Sequence, residues 1–381
     1  MRKRVFAALP LAVVLGLSLV MADGGAQHQS IQSFPIELGT SGGNVNDRSN
    51  AFCCSGTLGA LVSRGGPDYI LSNNHVLGLS GSATVGDDVS QPGLIDVGCN
   101  VSATTIVADF SEAPALGSSN VDAAIAEVRG GAVNTTGEII DVGVPSSTPA
   151  VAAVDMQVAK SGRTTGFTCG NVTSVSTDVS VQYQAGCGKG KKFTISYTDQ
   201  VVIGSSSFSA GGDSGSLIVQ ASTSQPVALL YAGSSSTTIG NPIQDVIGAL
   251  GISFVGGSNH ATVASCPSGG GGGGGGTCKG KNCGSGGSER AQEARVSVEQ
   301  ALLAKRQYAA SLMQDDAVMG VGVGIDDDGE AVVVIYVEEG RDHRPLPTMM
   351  AGVRAKIIRT DRFRAFGWNE KLMPAGACKA K

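Results

Sequence analysis

Short runs of apolar and β-branched residues follow one another between positions 34 and 255, and Gly, Ser, Asn or Asp interrupts each run. Representative runs lie at 58–62, 69–71, 193–197 and 227–231. Many short strands separated by frequent turns are typical of an all-β barrel or sandwich. The segment 241–250 predicts a turn that leads into a short closing helix or strand.

The pattern changes in the last quarter of the chain. Helix-forming residues fill 289–314, with Ser288 as a candidate N-cap, and predict one helix there. Apolar runs at 318–325 and 331–337 flank the turn Asp326-Asp327-Asp328-Gly329 and predict a hairpin, and 353–358 predicts a third strand. These elements indicate a small α+β domain. The acidic turn lacks the ligand spacing and distal Glu of an EF-hand, so a solvated turn is favoured over a calcium loop.

Two segments of biased composition divide the chain. Residues 1–22 have a basic start, an apolar core and a small-residue exit, and predict a secretory signal peptide, with a second possible cleavage after Ala26. A membrane anchor is the disfavoured alternative, because Pro10 interrupts a short apolar core. An unbroken glycine run at 269–276 predicts a flexible tether. The expected organisation is signal peptide 1–22, N-terminal segment 23–50, β-rich domain 51–255, linker 256–288 and α+β domain 289–381.

The charge distribution excludes one class of partner. The whole chain of 381 residues carries a formal charge of −5, and positions 23–256 hold 8 Lys and Arg against 18 Asp and Glu. A nucleic-acid-binding domain needs a basic face, so no nucleic-acid partner is expected. The balance suits a soluble protein that is exported to the periplasm or the medium, with no membrane span after signal removal.

Nine cysteines in an exported chain predict disulfides and leave one cysteine over. Cys169 could pair with Cys187, and either Cys53 or Cys54 could pair with Cys99, but spacing alone leaves the connectivity open. The remaining four cysteines belong to the linker and tail, where zinc is a disfavoured alternative because no CxxC pair is present. These four are Cys266, Cys278, Cys283 and Cys378.

The segment Gly211-Gly212-Asp213-Ser214-Gly215-Ser216 is the strongest candidate for chemistry. Glycines allow a tight turn that presents Ser214 and directs the amides of Gly212 and Ser214 into one pocket. Such a pocket stabilises the oxyanion that forms when a serine attacks a carbonyl. Taken alone, the motif also fits an ordinary Gly/Ser surface turn.

A serine nucleophile needs a base, which is usually a histidine. Three of the four histidines lie in the expected N-terminal tail, at the linker or near the C-terminus: His28, His260 and His343. Only His75 follows an apolar strand. Asp122 lies between small and apolar residues, and a buried charge is costly unless it is paired. We therefore expect Asp122 to pair with His75.

The order His75, Asp122, Ser214 resembles that of the trypsin/chymotrypsin-like serine peptidases. The segment Cys54-Ser55-Gly56-Thr57-Leu58 is similar to the strand before the histidine in that family. Another segment, Ser161-Gly162-Arg163-Thr164-Thr165-Gly166, resembles the opening of the second barrel in the bacterial streptogrisin and α-lytic group. The resemblance covers about 35–255 and implies two Greek-key barrels, with the catalytic residues in the crevice between them. Val76 and Ser216 depart from commoner family residues without touching the chemistry.

The resemblance implies a secreted serine endopeptidase that cleaves polypeptides through an acyl-enzyme, without metal or organic cofactor. A secreted binding protein on an inactive peptidase fold is the alternative. The family's primary specificity pocket would have Phe208 at its base and Gly233 on its far wall, which predicts small or apolar preference rather than a trypsin-like one. Arg163 is expected to order a loop rather than touch substrate. Residues 289–381 are expected to form an interaction, folding-assistant or autoinhibitory domain, and the oligomeric state is left open.

Overall fold

The computed structural model describes residues 26–49, 52–188, 190–267 and 287–365. The predicted signal peptide and the glycine run lie outside these ranges, as do Cys278, Cys283 and Cys378. Among the described helices, none is long and apolar enough to cross a bilayer.

Eight strands form the first barrel. The strands are β1 Thr40–Asn44, β2 Gly56–Leu58, β3 Ala60–Ser63, β4 Asp68–Ser72, β5 Asp88–Gln91, β6 Thr105–Glu112, β7 Ala124–Val128 and β14 Ser253–Phe254. They pair in the order β14-β3-β4-β7-β6-β5-β1-β2, and the ring closes because Gly59 alone separates β2 from β3. Buried aliphatic side chains such as Leu61, Ile70, Val107 and Ile125 fill its interior. Helices α1 Ala26–Gln29 and α2 Asn74–Leu77 and the 3₁₀ turns Leu94–Val97 and Val101–Ala103 complete it.

Six further strands form the second barrel. They are β8 Gln157–Gly162, β9 Gly166–Gln184, β10 Lys192–Gly204, β11 Leu217–Gln220, β12 Pro226–Gly233 and β13 Thr237–Pro242. Each strand pairs with its neighbours until β10 meets β9 and closes the ring. Helix α3, Ile243–Leu250, follows β13, so the segment that predicted a helix or a strand is a helix. Its buried Ile243, Val246 and Leu250 pack against the core.

The C-terminal elements match the predicted helix, hairpin and third strand. They are α4 Gly287–Leu312, β15 Val318–Ile325, β16 Ala331–Glu338, β17 Met349–Met350, β18 Val353–Thr360 and β19 Arg364–Ala365. Strands β15 and β16 are antiparallel, and β18 runs parallel to β16. Strand β15 also pairs with β9, so this sheet continues directly from the second barrel.

The expected fold of two β-barrels followed by a small α+β domain is therefore confirmed. The first barrel also takes in β1, which lies within 23–50. His28 is not in a loose tail: its side chain is 1 % exposed, and its Nδ1 bonds to the carbonyl of Gly39 at 2.8 Å.

Three disulfides join described residues: Cys53–Cys99, Cys54–Cys187 and Cys169–Cys266. The pairing of Cys53 with Cys99 is one of the two that were expected. The pairing of Cys169 with Cys187 is wrong, because Cys169 lies near the start of the 19-residue strand β9 and Cys187 lies beyond its end. A strand rises about 3.3 Å per residue, so this strand holds the two sulfurs far apart. Because Cys266 forms a disulfide with Cys169, it is not available as a zinc ligand.

Candidate active site

His75 stands where the first barrel turns from strand β4 into helix α2. Its Nδ1 lies 2.6 Å from Oδ2 of Asp122, and its backbone N–H donates to Oδ1 at 3.2 Å. Both side chains are buried. Because a buried carboxylate accepts this bond, Nδ1 carries the proton and Nε2 is the basic nitrogen. The predicted pairing of these two residues is therefore present in the structure.

Asp122 makes two further hydrogen bonds with the second barrel. The hydroxyl of Tyr183 donates to Oδ2 at 2.8 Å, and the backbone N–H of Asp122 donates to Oδ1 of Asn241 at 2.9 Å. Burial raises the pKa of Tyr183 well above its usual range, so the phenol keeps its proton and remains a donor. In the sequence, only the alternation of buried residues along β9 marks Tyr183.

Ser214 lies in a turn that depends on glycine. Gly212 has φ +100° and Gly215 has φ +94°, which residues with a Cβ rarely adopt. Asp213 between them is fully buried and accepts backbone N–H groups from Thr164 at 2.8 Å and Ala210 at 2.9 Å. These hydrogen bonds to Asp213 therefore fix the conformation of the serine turn.

The buried side chain of Lys160 also contacts Asp213 in the serine turn. Nζ of Lys160 lies 3.5 Å from Oδ2 of Asp213 and donates to the carbonyl of Gly166 at 2.8 Å. Burial lowers the pKa of Lys160, and the charge of Asp213 opposes that shift. Sequence reasoning missed this pair, because Lys160 sits in a strand with no local motif.

The turn packs directly on the first barrel. The N–H of Thr57 donates to the carbonyl of Ser214 at 2.8 Å, and its Oγ1 donates to the carbonyl of Gly212 at 2.9 Å. A Cβ on Gly59 would come within 1.9 Å of the carbonyl oxygen of Gly215, so only glycine permits this approach. Ser214 therefore lies at the seam between the two barrels.

The atoms that would exchange a proton are both without a hydrogen bond. Oγ of Ser214 and Nε2 of His75 are buried, and neither has a partner among the described residues. No hydrogen bond therefore joins Ser214 to His75. In the turn, the amides of Asp213, Gly215 and Ser216 donate to carbonyls, and within the described chain those of Gly212 and Ser214 have no backbone acceptor.

A cleft of about 730 Å³ opens at this seam. His75 and Gly233 line it, together with Ala210 and Gly211 from the approach to the serine turn. Phe208 does not line the cleft: its side chain is fully buried in a core cluster, and Ser209 faces the cleft instead. The alternation of side chains along the segment turns Phe208 inward, where Gly170 leaves room for its ring.

Asp47 also borders the cleft. Burial raises its pKa to about 7, while positive charge on the neighbouring His75 acts against that rise. Asp47 and the sulfurs of Cys54 and Cys187 are the one group of possible metal ligands among the described residues, and those sulfurs are joined in a disulfide. No motif in the sequence singles out Asp47.

Arg163 was expected to order a loop, and its guanidinium bonds to side chains of two loop residues. Its Nε donates to Oδ2 of Asp96 at 2.8 Å in a nearly buried ion pair. Its Nη1 donates to Oγ1 of Thr164 at 3.0 Å, next to the contacts that hold Asp213.

No protein-family profile and no curated protein matches the sequence. Several solved structures are similar over little more than half of the chain. A glutamic-acid-specific serine protease, described as using a histidine triad in substrate binding, is 21% identical over 57% of this chain and 100% of its own, with a TM-score of 0.41. Protease A of Thermobifida fusca is 19% identical over 58% and 99%, with a TM-score of 0.39. An α-lytic protease homologue, N4, is 20% identical over 57% and 98%, with a TM-score of 0.40.

Proposed function

We propose that this protein is a secreted serine endopeptidase. The observation that carries the proposal is the 2.6 Å contact between His75 and a buried Asp122, beside a glycine turn that holds Ser214 at the same seam. Three disulfides are typical of proteins that fold in an oxidising compartment, which agrees with export.

In the proposed reaction, Nε2 of His75 takes the proton of Ser214 while Oγ attacks the carbonyl carbon of a peptide bond. Asp122 keeps the imidazole in the required tautomer and stabilises its charged form. The amides of Gly212 and Ser214 donate to the oxyanion of the tetrahedral intermediate. His75 then protonates the leaving amine, and water repeats the cycle on the acyl-enzyme.

The missing bond between Ser214 and His75 does not contradict this sequence of steps. Catalytic hydrogen bonds are often long or poorly aligned before substrate binds and tighten in the reacting complex. Both atoms lack any competing partner among the described residues, so no other bond has to break first.

A second candidate, a binding protein on an inactive peptidase fold, is favoured by the same unbonded pair and by the full burial of Ser214. It differs in one measurable respect: Ser214 would not react. Reactivity of Ser214 therefore separates the two functions.

The test is labelling with a fluorophosphonate, followed by mass spectrometry of the modified peptide. The label is applied to a chain shortened to end at Phe363, which lacks the Arg364 and Ala365 that line the cleft. We expect the label on Ser214, its loss in Ser214→Ala, and no loss in Ser118→Ala, which changes an exposed serine. Both variants are also assayed for hydrolysis of a peptide library. Absence of label and hydrolysis in the full-length chain, and in a folded chain shortened to end at Phe363, would rule out the peptidase.

A further inference from the structure

The last described segment of the chain runs through the candidate cleft. Asp361, Arg362, Arg364 and Ala365 line the cleft together with His75. They reach it from the C-terminal domain, which is joined to the barrels through 268–286, outside the described residues. One cleft is therefore built from both parts of the chain.

This segment enters the cleft as a β-strand. Strand β19 pairs antiparallel with the end of β12, with Ala365 opposite Ala232 and Arg364 opposite Gly233. Arg364 also lies opposite Gln182 of β9 in a parallel pairing. Segment 364–365 thus bridges two strands that border the cleft.

Strand β19 pairs with β12 next to the part of β12 that contacts the serine turn. Strand β12 contacts the serine turn at Leu230, whose carbonyl accepts the N–H of Gly215 at 2.8 Å. From Arg364 to Ala365 the tail advances along β12 from Gly233 to Ala232, in the direction of Leu230. A peptide that approached Ser214 in extended form along this edge would need the same backbone groups.

We propose that the C-terminal domain inhibits the peptidase in cis, with the strand Arg364–Ala365 occupying the edge of β12 that an extended substrate requires. This inference rests on the proposed peptidase function. It gives the domain a regulatory role, because the enzyme is latent until the strand is displaced or cut away.

Several contacts fasten the segment just before the strand. Oδ1 of Asp361 accepts from the backbone N–H of Ser235 at 2.7 Å, and the carbonyl of Phe363 accepts from the N–H of Gln182 at 2.9 Å. The ring of Phe363 is fully buried and packs 5.6 Å from that of Tyr336. The strand is thus held at the cleft rim by specific anchors.

The rest of the C-terminal domain is attached to the second barrel. Strand β15 adds to the edge of β9, with Gly320 opposite Val179. Lys305, which is 6 % exposed, bonds through Nζ to Oδ1 of Asp178 at 2.6 Å. Because the C-terminal domain belongs to the same chain, the local concentration of strand β19 at the cleft is high, and dilution does not release it.

Burial of the reacting groups agrees with a latent state. Ser214 is fully buried, and the His75 side chain is 5 % exposed. A substrate carbonyl has to reach Oγ of Ser214 directly, so some part of the surrounding protein must first move. Strand β19, which pairs with β12, is the part that lies on the expected path of an extended substrate.

The test compares two shortened chains that differ only in this strand. One ends at Phe363 and lacks Arg364 and Ala365; its matched control ends at Ala365 and keeps them. We expect at least about a tenfold rise in kcat/KM for peptide hydrolysis in the chain that ends at Phe363, relative to the control. The kcat/KM of the control should not change when the enzyme is diluted a hundredfold, because the inhibiting strand is part of the same chain.

A second comparison keeps the full length. The double substitution R364P/A365P removes both amide donors of the strand, whereas R364S/A365S retains them. We expect the proline variant to gain activity and the serine variant to stay latent. This pair also decides the question if the chain ending at Phe363 does not fold.

The outcomes separate the two proposals. Equal activity, with Ser214 labelled in all folded variants, would overturn inhibition and leave the peptidase intact. Absence of label and hydrolysis in every folded variant would overturn the peptidase itself. A gain of activity only when the strand is lost or disrupted supports both.

Discussion

The hydroxyl of Tyr183, on the second barrel, donates a 2.8 Å hydrogen bond to the carboxylate of Asp122, on the first. The same oxygen of Asp122 meets Nδ1 of His75 at 2.6 Å. The orientation of the proposed base therefore depends on the correct docking of one barrel on the other. This link gives the active site a structural requirement that neither barrel meets alone.

Removal of this hydroxyl by Tyr183→Phe should reduce kcat about 10- to 100-fold with little change in KM, because a hydrogen bond to a charged group contributes roughly 1.5–3 kcal/mol. Steady-state kinetics on a chain ending at Phe363 measure the effect. The matched control is Tyr197→Phe, whose hydroxyl contacts that of Tyr183 at 2.7 Å and therefore acts one step further away. Equal losses in both variants would contradict a specific role for Tyr183.

Lys160 and Asp213 form an ion pair with no exposed side-chain surface on either partner. Substitution of Lys160 by Met leaves the charge of Asp213 buried without its cation, and such changes typically cost about 3–5 kcal/mol. Urea unfolding should show this loss of stability, and hydrolysis should fall because Asp213 precedes Ser214.

The double variant Lys160→Met/Asp213→Asn provides the control for that experiment. It removes both charges, so it should recover part of the lost stability. If the double variant is no more stable than Lys160→Met alone, the cost does not arise from an unpaired charge.

The bond between Cys169 and Cys266 ties the segment after the barrels back to β9 across 97 residues of sequence. Replacement of both cysteines by serine should lower the free energy of unfolding by about 2–4 kcal/mol, since the crosslink restricts the unfolded chain. Chemical denaturation measures this, with Cys53→Ser/Cys99→Ser as the comparison for a shorter loop of 46 residues. An unchanged midpoint for the Cys169/Cys266 variant would contradict the assignment.

Sequence patterns predicted the strands, the C-terminal hairpin and the pairing of His75 with Asp122, because alternation and an isolated buried charge are local signals. They did not predict Tyr183, Lys160 or the path of segment 364–365. These features depend on which strands become neighbours, and a strand carries no local mark of its partner. Phe208 was misplaced for a related reason, since position relative to Ser214 does not fix which way a side chain turns.

Asp47 should make stability depend on pH in a defined direction. Burial raises its pKa from 3.8 to about 7, so the folded protein favours the neutral carboxyl. The stabilising contribution of this group is complete below about pH 4 and disappears as the pH rises through about 7. Asp47→Asn keeps a neutral side chain at all pH values, so its gain in stability over the parent should grow between pH 4 and pH 7 and then level off. Denaturant unfolding at pH 4, 5, 6, 7 and 8 measures this difference. The control is Asp316→Asn, a carboxylate that is 86 % exposed, for which we expect no comparable trend. A constant difference between Asp47→Asn and the parent would show that Asp47 does not titrate in this range.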